Sequence, residues 1–386
     1  MKLNPRAQCP RFLYLPDLAQ MTPVSIPERD LSEIAAQFAI EGEFCQAVPH
    51  GRGHINETYC ATFNRDGTPV RYILQRINQN VFRNPAALME NIERVTRHLS
   101  AQLADSPDKE RRALMLTPDR AGRSMYVDPA GGCWRAYQFI GGARTIDAIE
   151  SPQQAFEGAR AFGHFLAMLA DLPAPRLHDT IPDFHHGLKR VGALEDAVAR
   201  DAAGRVRDAG PEIAFVLARK SVTGSLLNAG LPERVTHNDT KINNVMLDDQ
   251  TGEGICVIDL DTVMPGFAAY DFGDLVRTAT CLAQEDERDL SKVTMSFELF
   301  QALARGYLST AGSLLTRAEK ESLVTGGKLI TLLIGIRFLT DFLNGDAYFK
   351  VHRPGHNLDR CRAQFKLVES IEEQQSKMEQ FIRSVG

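Results

Sequence analysis

Cysteine is scarce and unpatterned. Seven residues, at 9, 45, 60, 133, 256, 281 and 361, make an odd set without C-x-x-C spacing. That excludes a disulfide framework or a thiolate zinc site and predicts reduced thiols in a cytoplasmic protein. Long apolar runs are missing as well. The most apolar stretch, 329–336 (LITLLIGI), is followed by Arg337 and Asp341. It falls well short of the roughly 20 residues a bilayer span needs, so it reads as a buried helix and no membrane partner is expected. The first twenty residues are broken by Pro10, Pro16 and Asp17 and lack the apolar centre of a signal peptide. Neither sign of charge dominates: the formal net charge is -5 and the pI about 6.1. That argues against a nucleic-acid partner. The single tryptophan, Trp134, reads as a core strand residue.

What is present is an ordinary folded composition, 44% hydrophobic and 24% charged, in a chain of 386 residues. The length suits two or three lobes. Residues 1–29 are proline-rich, and 30–41 have helical periodicity with Asp30 or Ser32 as N-cap. The period then changes. Segments 44–48, 58–64 and 70–78 read as strands of an antiparallel meander, the second pair joined by RDGTP. A helix is expected from about 85 to 103, then short strands at 125–127 and 133–139. Beyond Gly141 and Gly142 the pattern turns helical: 152–170, 188–200, 211–228, 271–283, 297–310, 317–344 and 357–383. One β-loop island, 235–263, interrupts it. The expected fold class is α+β, with a small antiparallel-β N-terminal lobe (1–140) and a larger, mainly helical C-terminal lobe (141–386). A cleft between such lobes would be the preferred ligand site.

The island carries the chemistry. It reads VTHNDTKINNVMLD, then GICVIDLD. The pattern is H-x-D-x-x-x-x-N followed by an apolar strand ending in Asp259. Phosphoryl transfer needs a carboxylate to orient and deprotonate the attacking hydroxyl, and an amide oxygen with a second carboxylate to hold Mg²⁺. Asp239, Asn244 and Asp259 stand at that spacing. Lys241, two residues beyond the base, is placed to stabilise the transferred phosphoryl group. Each residue also has a plain reading as a turn former, and His237 is read as a packed histidine bonded to backbone. Gly51 and Gly53, between two strands, would let backbone amides approach phosphates; by themselves they are a hairpin turn. Asp271 in YDFGD is expected to brace the catalytic loop or cap the following helix.

HNDTKINN, VIDLDTVMPG and YDFGD resemble the phosphotransferase family that includes aminoglycoside, choline and homoserine kinases. GHINETY (53–59), YILQRIN (72–78), LMENI (88–92) and GIRFLTDFLNGDAYFK (335–350) are similar to the bacterial N-acetylhexosamine 1-kinases. The resemblance implies a protein-kinase-like fold, ATP and Mg²⁺, and a small-molecule acceptor, an N-acetylated hexose. It makes Asp239 the base and Asn244 and Asp259 the metal ligands. Asp261 is either a second metal neighbour or a strand-end carboxylate. Arg337 and Tyr348 would face the acceptor, bordered by Thr262 and Ile55. The plain reading of Arg337 is an intrahelical ion pair with Asp341. Adenine would be read by backbone groups of Gln138, Phe139 and Ile140. The V-A-I-K strand of protein kinases is missing. Gln75 or Arg76 stands in its lysine region, and Arg76 is the choice for phosphate, with Glu90 as its partner by analogy and solvated surface charge as the alternative.

Overall fold

The computed structural model describes residues 30–51 and 55–386. The proline-rich start and Gly53 of the expected nucleotide loop lie outside them. Two compact units form: one from the residues up to Met89 together with Leu114–Ile140, the other from Glu90–Ala113 and Gly141–Gly386.

The first unit is an antiparallel sheet with a short helix. Helix α1 (Leu31–Ala35) starts on Asp30, whose carboxylate accepts the Ser32 N–H at 2.9 Å. It is shorter than the expected 30–41 because the chain leaves the helix to pair with another segment. The Ala39 N–H donates to the Pro118 carbonyl at 2.9 Å, and Phe38 bridges to Asp119. Strands β1 (Glu43–Pro49), β2 (Glu57–Arg65) and β3 (Thr68–Arg76) form the expected meander. Beyond β3 lies β6 (Cys133–Gln138), which also pairs β4 (Leu116–Thr117) and β5 (Tyr126–Val127). The register sets Leu74 against Tyr59 and Ala136, Arg76 against Trp134, and Gln75 against Arg135. Successive side chains of a strand face opposite ways. Tyr59, Ala61, Phe63, Tyr72, Leu74, Trp134 and Ala136 therefore share one face and make a core with Ile34 and Phe38. Gln75 and Arg135 stand on the other face.

The second unit holds most of α2 (Pro85–Gln102), then α3 (Lys109–Arg112), α4 (Pro152–Met168), α5 (Gly187–Arg200) and α6 (Gly210–Ala218). Helices α7 (Ala268–Ala279), α8 (Phe297–Ala311), α9 (Arg317–Leu343) and α10 (His356–Val385) complete it. The expected helix 211–228 ends early, and a 3-10 turn covers Lys220–Gly224. There the Thr223 and Ser225 hydroxyls bond the Lys220 and Val222 carbonyls, drawing backbone acceptors away from a continuing helix. The β island folds into two small sheets. In one, β9 (Val245–Asp248) lies between β10 (Gly254–Val257) and β7 (Ala143–Arg144), and in the other β8 (Arg234–Thr236) pairs β11 (Met264–Gly266).

Helix α9 is long and apolar enough to cross a membrane, but 72% of its most apolar window is buried inside the protein. Its N-terminus is fixed by a capping box of Thr316 and Glu319. It packs on α7 at unusually close range. A Cβ on Gly326 would lie 2.0 Å from the Ala269 carbonyl oxygen, and one on Gly273 would lie 2.4 Å from that of Gly326. Only glycine fits at both places, so the helix carrying Asp271 is locked to the helix carrying Arg337.

Candidate active site

The loop after β8 holds Asp239, and its shape is imposed by buried polar groups. The Asp271 carboxylate, in the first turn of α7, accepts the backbone N–H of His237 at 2.9 Å and that of Asn238 at 2.7 Å. The Thr240 hydroxyl returns a bond to the Asp271 carbonyl at 2.5 Å. Asn238 sits at φ 64°, a left-handed conformation that asparagine tolerates. Its side chain donates to the Thr236, Thr262 and Met264 carbonyls. His185 Nε2 bonds the Asn238 carbonyl at 2.9 Å. Burial pushes His185 down to about 4, against that bond, so the ring is neutral at pH 7 and donates there. His237 is fully buried between Phe162 and Phe165, with Nε2 3.0 Å from the Ile258 carbonyl. This is the packed, backbone-bonded role read from its sequence, and Asp271 braces the loop.

Asp239 faces Lys241, whose Nζ lies 2.9 Å from Oδ1 and 3.1 Å from Oδ2. Burial pushes the Asp239 carboxyl up, but Lys241, His237 and Arg277 reverse this and hold it below the usual carboxylate range. Lys241 is raised by Asp239, against burial. Asp239 is thus an ionised, weak base at neutral pH. A weak base suits a reaction in which the hydroxyl is aligned early and deprotonated late.

Asn244 is buried, and its Nδ2 donates to the Asp239 carbonyl at 2.9 Å and to Oδ2 at 3.3 Å. That leaves Oδ1 as the end a hard cation would take. The Ile258 N–H bonds the Asn244 carbonyl at 2.9 Å, and Val257 pairs with Val245. This pairing brings the next residue, Asp259, beside the loop. Asp259 is exposed and sits at φ 61°, ψ 61°, a conformation costly for a residue with a Cβ. Among the described residues no cluster of three His, Cys, Asp or Glu side chains is built to hold a metal alone. An amide oxygen with one carboxylate fits Mg²⁺, which keeps waters and phosphate oxygens as its other ligands. Asp261 is buried in the following 3-10 turn, and its carbonyl accepts the Thr180 hydroxyl at 2.8 Å. The neighbouring Thr262 hydroxyl is buried without a hydrogen-bond partner.

Arg337 has three aromatic neighbours. Its guanidinium carbon is 5.4 Å from the Phe184 ring, 5.7 Å from Tyr348 and 5.4 Å from Phe349. Burial holds its pKa below the ordinary value, against the pull of Tyr348 and of Asp239. The intrahelical pair with Asp341 does not form, because Asp341 is otherwise used. Its oxygens take the N–H groups of Ala347 at 3.0 Å, Tyr348 at 2.8 Å and Phe349 at 2.9 Å, and Asn357 Nδ2 at 2.9 Å. Asp341 thereby fixes the turn that presents Tyr348.

In the first unit, Gly51 is exposed at φ 75°, which favours glycine, and nothing crowds its Cβ position. Ile55 and Arg76 line a polar cavity of about 280 Å³ with Glu57, Asn78 and Asn80. Arg76 Nη1 donates to Glu57 Oε1 at 2.9 Å. The expected partner, Glu90, accepts instead from His178 Nε2 at 2.9 Å. Gln75, on the opposite sheet face, accepts from the buried Arg135 at 3.0 Å and donates to the Thr58 hydroxyl at 3.0 Å. The N–H groups of Gln138 and Phe139 are spent on the Met115 and Arg71 carbonyls, which leaves Ile140 as the residue of the three whose N–H is not used this way.

Two residues were passed over in the sequence. Arg277 is almost fully buried and pairs with Asp274 at 2.7 Å. It also adds positive potential at Asp239 and Arg337. The signal was there, since an arginine three residues after an aspartate on an otherwise apolar helix has to be paired.

The phosphotransferase enzyme family matches residues 46–306. Solved structures share the fold at low identity. A microcompartment-associated aminopropanol kinase is 18% identical, with 90% of this chain and 97% of that one covered and a TM-score of 0.53. Choline kinase from Cryptosporidium parvum Iowa II is 14% identical, covering 92% and 98% with a TM-score of 0.54. A spectinomycin phosphotransferase in complex with ADP and spectinomycin is 12% identical, covering 93% and 99% with a TM-score of 0.51.

Proposed function

The chain belongs to the phosphotransferase enzyme family, and from that premise we propose that it moves the γ-phosphoryl group of ATP to the anomeric hydroxyl of an N-acetylhexosamine, giving the sugar 1-phosphate. The observation that carries the chemistry is the set Asp239, Lys241 and Asn244, held within hydrogen-bonding distance of one another on a loop braced by Asp271. In this reading the Asp239 carboxylate accepts the hydroxyl hydrogen and aims the oxygen at the γ-phosphorus. The oxygen–phosphorus bond forms as the bond to ADP breaks, and the proton passes to Asp239. Lys241 holds the transferring group. Asn244 and Asp259 hold Mg²⁺, with Asp261 behind them, and the metal when bound would neutralise phosphate charge. Catalysis then rests on alignment and electrostatics. Gly51, Arg76 and the backbone at Gln138, Phe139 and Ile140 are assigned to the nucleotide.

The acceptor assignment rests on Arg337 and Tyr348, with the unpartnered Thr262 hydroxyl and Ile55 as further lining. A cationic acceptor such as choline or an aminoglycoside would meet the Arg337 guanidinium, whereas sugar oxygens would accept its hydrogen bonds. Phosphorus NMR of the product from ATP and N-acetylglucosamine or N-acetylgalactosamine tests the whole reading. A resonance coupled to the anomeric proton is expected. Release of free phosphate alone, or a phosphate at another carbon, defeats it.

A further inference from the structure

A second cavity lies on the far side of Lys241, wholly within the second unit. Its volume is about 230 Å³, and its walls include Lys241, Asn243, Arg277, Leu282, Gln364 and Leu367. This is below the roughly 300–1,000 Å³ of pockets for drug-sized ligands, so it suits one ring and not a nucleotide.

Two observations point to a ligand. Gln364, from α10, is 5% exposed, and its Oε1 has no hydrogen-bond partner. Asn243, next to the proposed metal ligand Asn244, likewise has a buried and unpartnered Oδ1. Leaving a buried polar atom unpaired costs on the order of 1–3 kcal/mol, so two around one cavity mark a place where something else supplies the bonds. The apolar part of the lining is equally distinctive. Leu367 is buried in the wall, while Leu282 is 71% exposed at the rim, the most exposed of the large hydrophobic side chains among the described residues. The charges nearby are already matched, since Arg277 pairs with Asp274 and Glu285, and Lys241 with Asp239. An ion has no unmatched countercharge to meet there. A neutral ring with hydroxyls at its edge and C–H groups on its face fits: hydroxyls satisfy an amide end in either orientation, and the C–H face covers leucine.

We propose that this cavity is a second sugar subsite, which receives a hexose unit covalently joined to the acceptor, so that the enzyme phosphorylates the reducing end of a disaccharide. The inference rests on the acceptor reading above and extends it. Lys241 links the two places, because it lines the cavity while its ammonium touches Asp239. The reducing-end anomeric oxygen attacks phosphorus, its proton goes to Asp239 and ADP leaves, as with the monosaccharide. Only the distal ring is new.

The test compares N-acetylglucosamine with the disaccharide N,N′-diacetylchitobiose on the full chain, by turnover and by calorimetry. Two variants probe the cavity: Gln364→Leu, which keeps volume but removes the amide, and Leu282→Ala, whose exposure makes misfolding a poor explanation of any effect. The disaccharide kcat/KM is expected to fall about tenfold in each, about 1.4 kcal/mol, with the monosaccharide value within about twofold of wild type. Equal disaccharide values in wild type and both variants overturn the proposal. So does a second bound monosaccharide per chain that Gln364→Leu abolishes, since the cavity would then serve a free sugar. If neither sugar is phosphorylated, the acceptor reading has failed and calorimetry decides the subsite by itself. A disaccharide Kd raised about tenfold by Gln364→Leu upholds it, and an unchanged Kd or no binding overturns it.

Discussion

Asp271→Asn is the perturbation with the most structure behind it. The carboxylate accepts two buried backbone N–H groups, at 2.9 and 2.7 Å. An amide offers one oxygen, so the second N–H meets an NH₂ group and loses its partner. An orphaned buried donor costs on the order of 1–3 kcal/mol, and the surviving bond loses its charge assistance, roughly half its strength. A loss of about 2–4 kcal/mol is expected, concentrated on the loop that carries Asp239, and kcat should fall roughly 10- to 100-fold. A pH signature separates this from general damage. Burial, working against those two bonds, pushes the Asp271 carboxyl up to about 6. Between its unfolded value of roughly 3.9 and that folded value, the native state holds the extra proton. The group's contribution to stability therefore falls as pH rises through that window. In turnover the sign is opposite. Below about pH 6 the protonated acid no longer accepts both N–H groups, the loop loosens, and kcat drops. Asp239, held below the usual carboxylate range, places no limb there. A coupled assay from pH 5 to 9 should show a wild-type acid limb near 6 that Asp271→Asn lacks, and thermal denaturation should show a lower Tm. A variant with wild-type kcat, or one that keeps the limb, refutes the bracing role.

Asp239→Asn should lower kcat at least about 10²-fold while calorimetry shows MgATP affinity almost unchanged; near-normal turnover would remove it as the base. Asn244→Ala and Asp259→Ala should each weaken ATP binding in the presence of magnesium and much less in its absence, and an unchanged MgATP Kd for Asp259→Ala would show the metal site to be misplaced. Arg337→Ala should raise the acceptor KM with the ATP KM and Tm nearly constant, whereas Asp341→Ala, which strands three N–H groups, should lower Tm by several degrees; a reversed pattern would make Arg337 structural.

The β island was legible because its information is local. Eight consecutive residues, from His237 to Asn244, hold the base, the lysine and the amide, and one apolar strand places Asp259 beside them through β9 and β10. The meander was legible for the same reason, since alternation within each strand sets both face and register. Asp341 was misread because sequence spacing offers a partner four residues away and cannot show that three N–H groups beyond the helix end compete for the carboxylate more effectively. The early end of the 211–228 helix escaped notice because hydroxyl-to-carbonyl bonds at Thr223 and Ser225 leave no periodic trace.

Charged residues inside strands and helices were the harder case, and they share a cause. Arg135 reads as one polar letter in CWRAYQ, and Arg277 as one in DLVRTA. An exposed arginine would look the same. What distinguishes them is a partner supplied from another element or another turn: Gln75 across the sheet for Arg135, Asp274 and Glu285 for Arg277. Burying a cation costs several kcal/mol unless it is paired, so each of these partners is needed for the fold as well as for the field at the site. The two demands coincide at Arg277. Its charge helps hold Asp239 ionised, and the Asp274 contact that makes its burial tolerable lies one turn from Asp271 on the same helix. Helix α7 therefore sets both the shape of the catalytic loop, through Asp271, and its electrostatics, through Arg277, and the Gly273–Gly326 contact fixes that helix against α9.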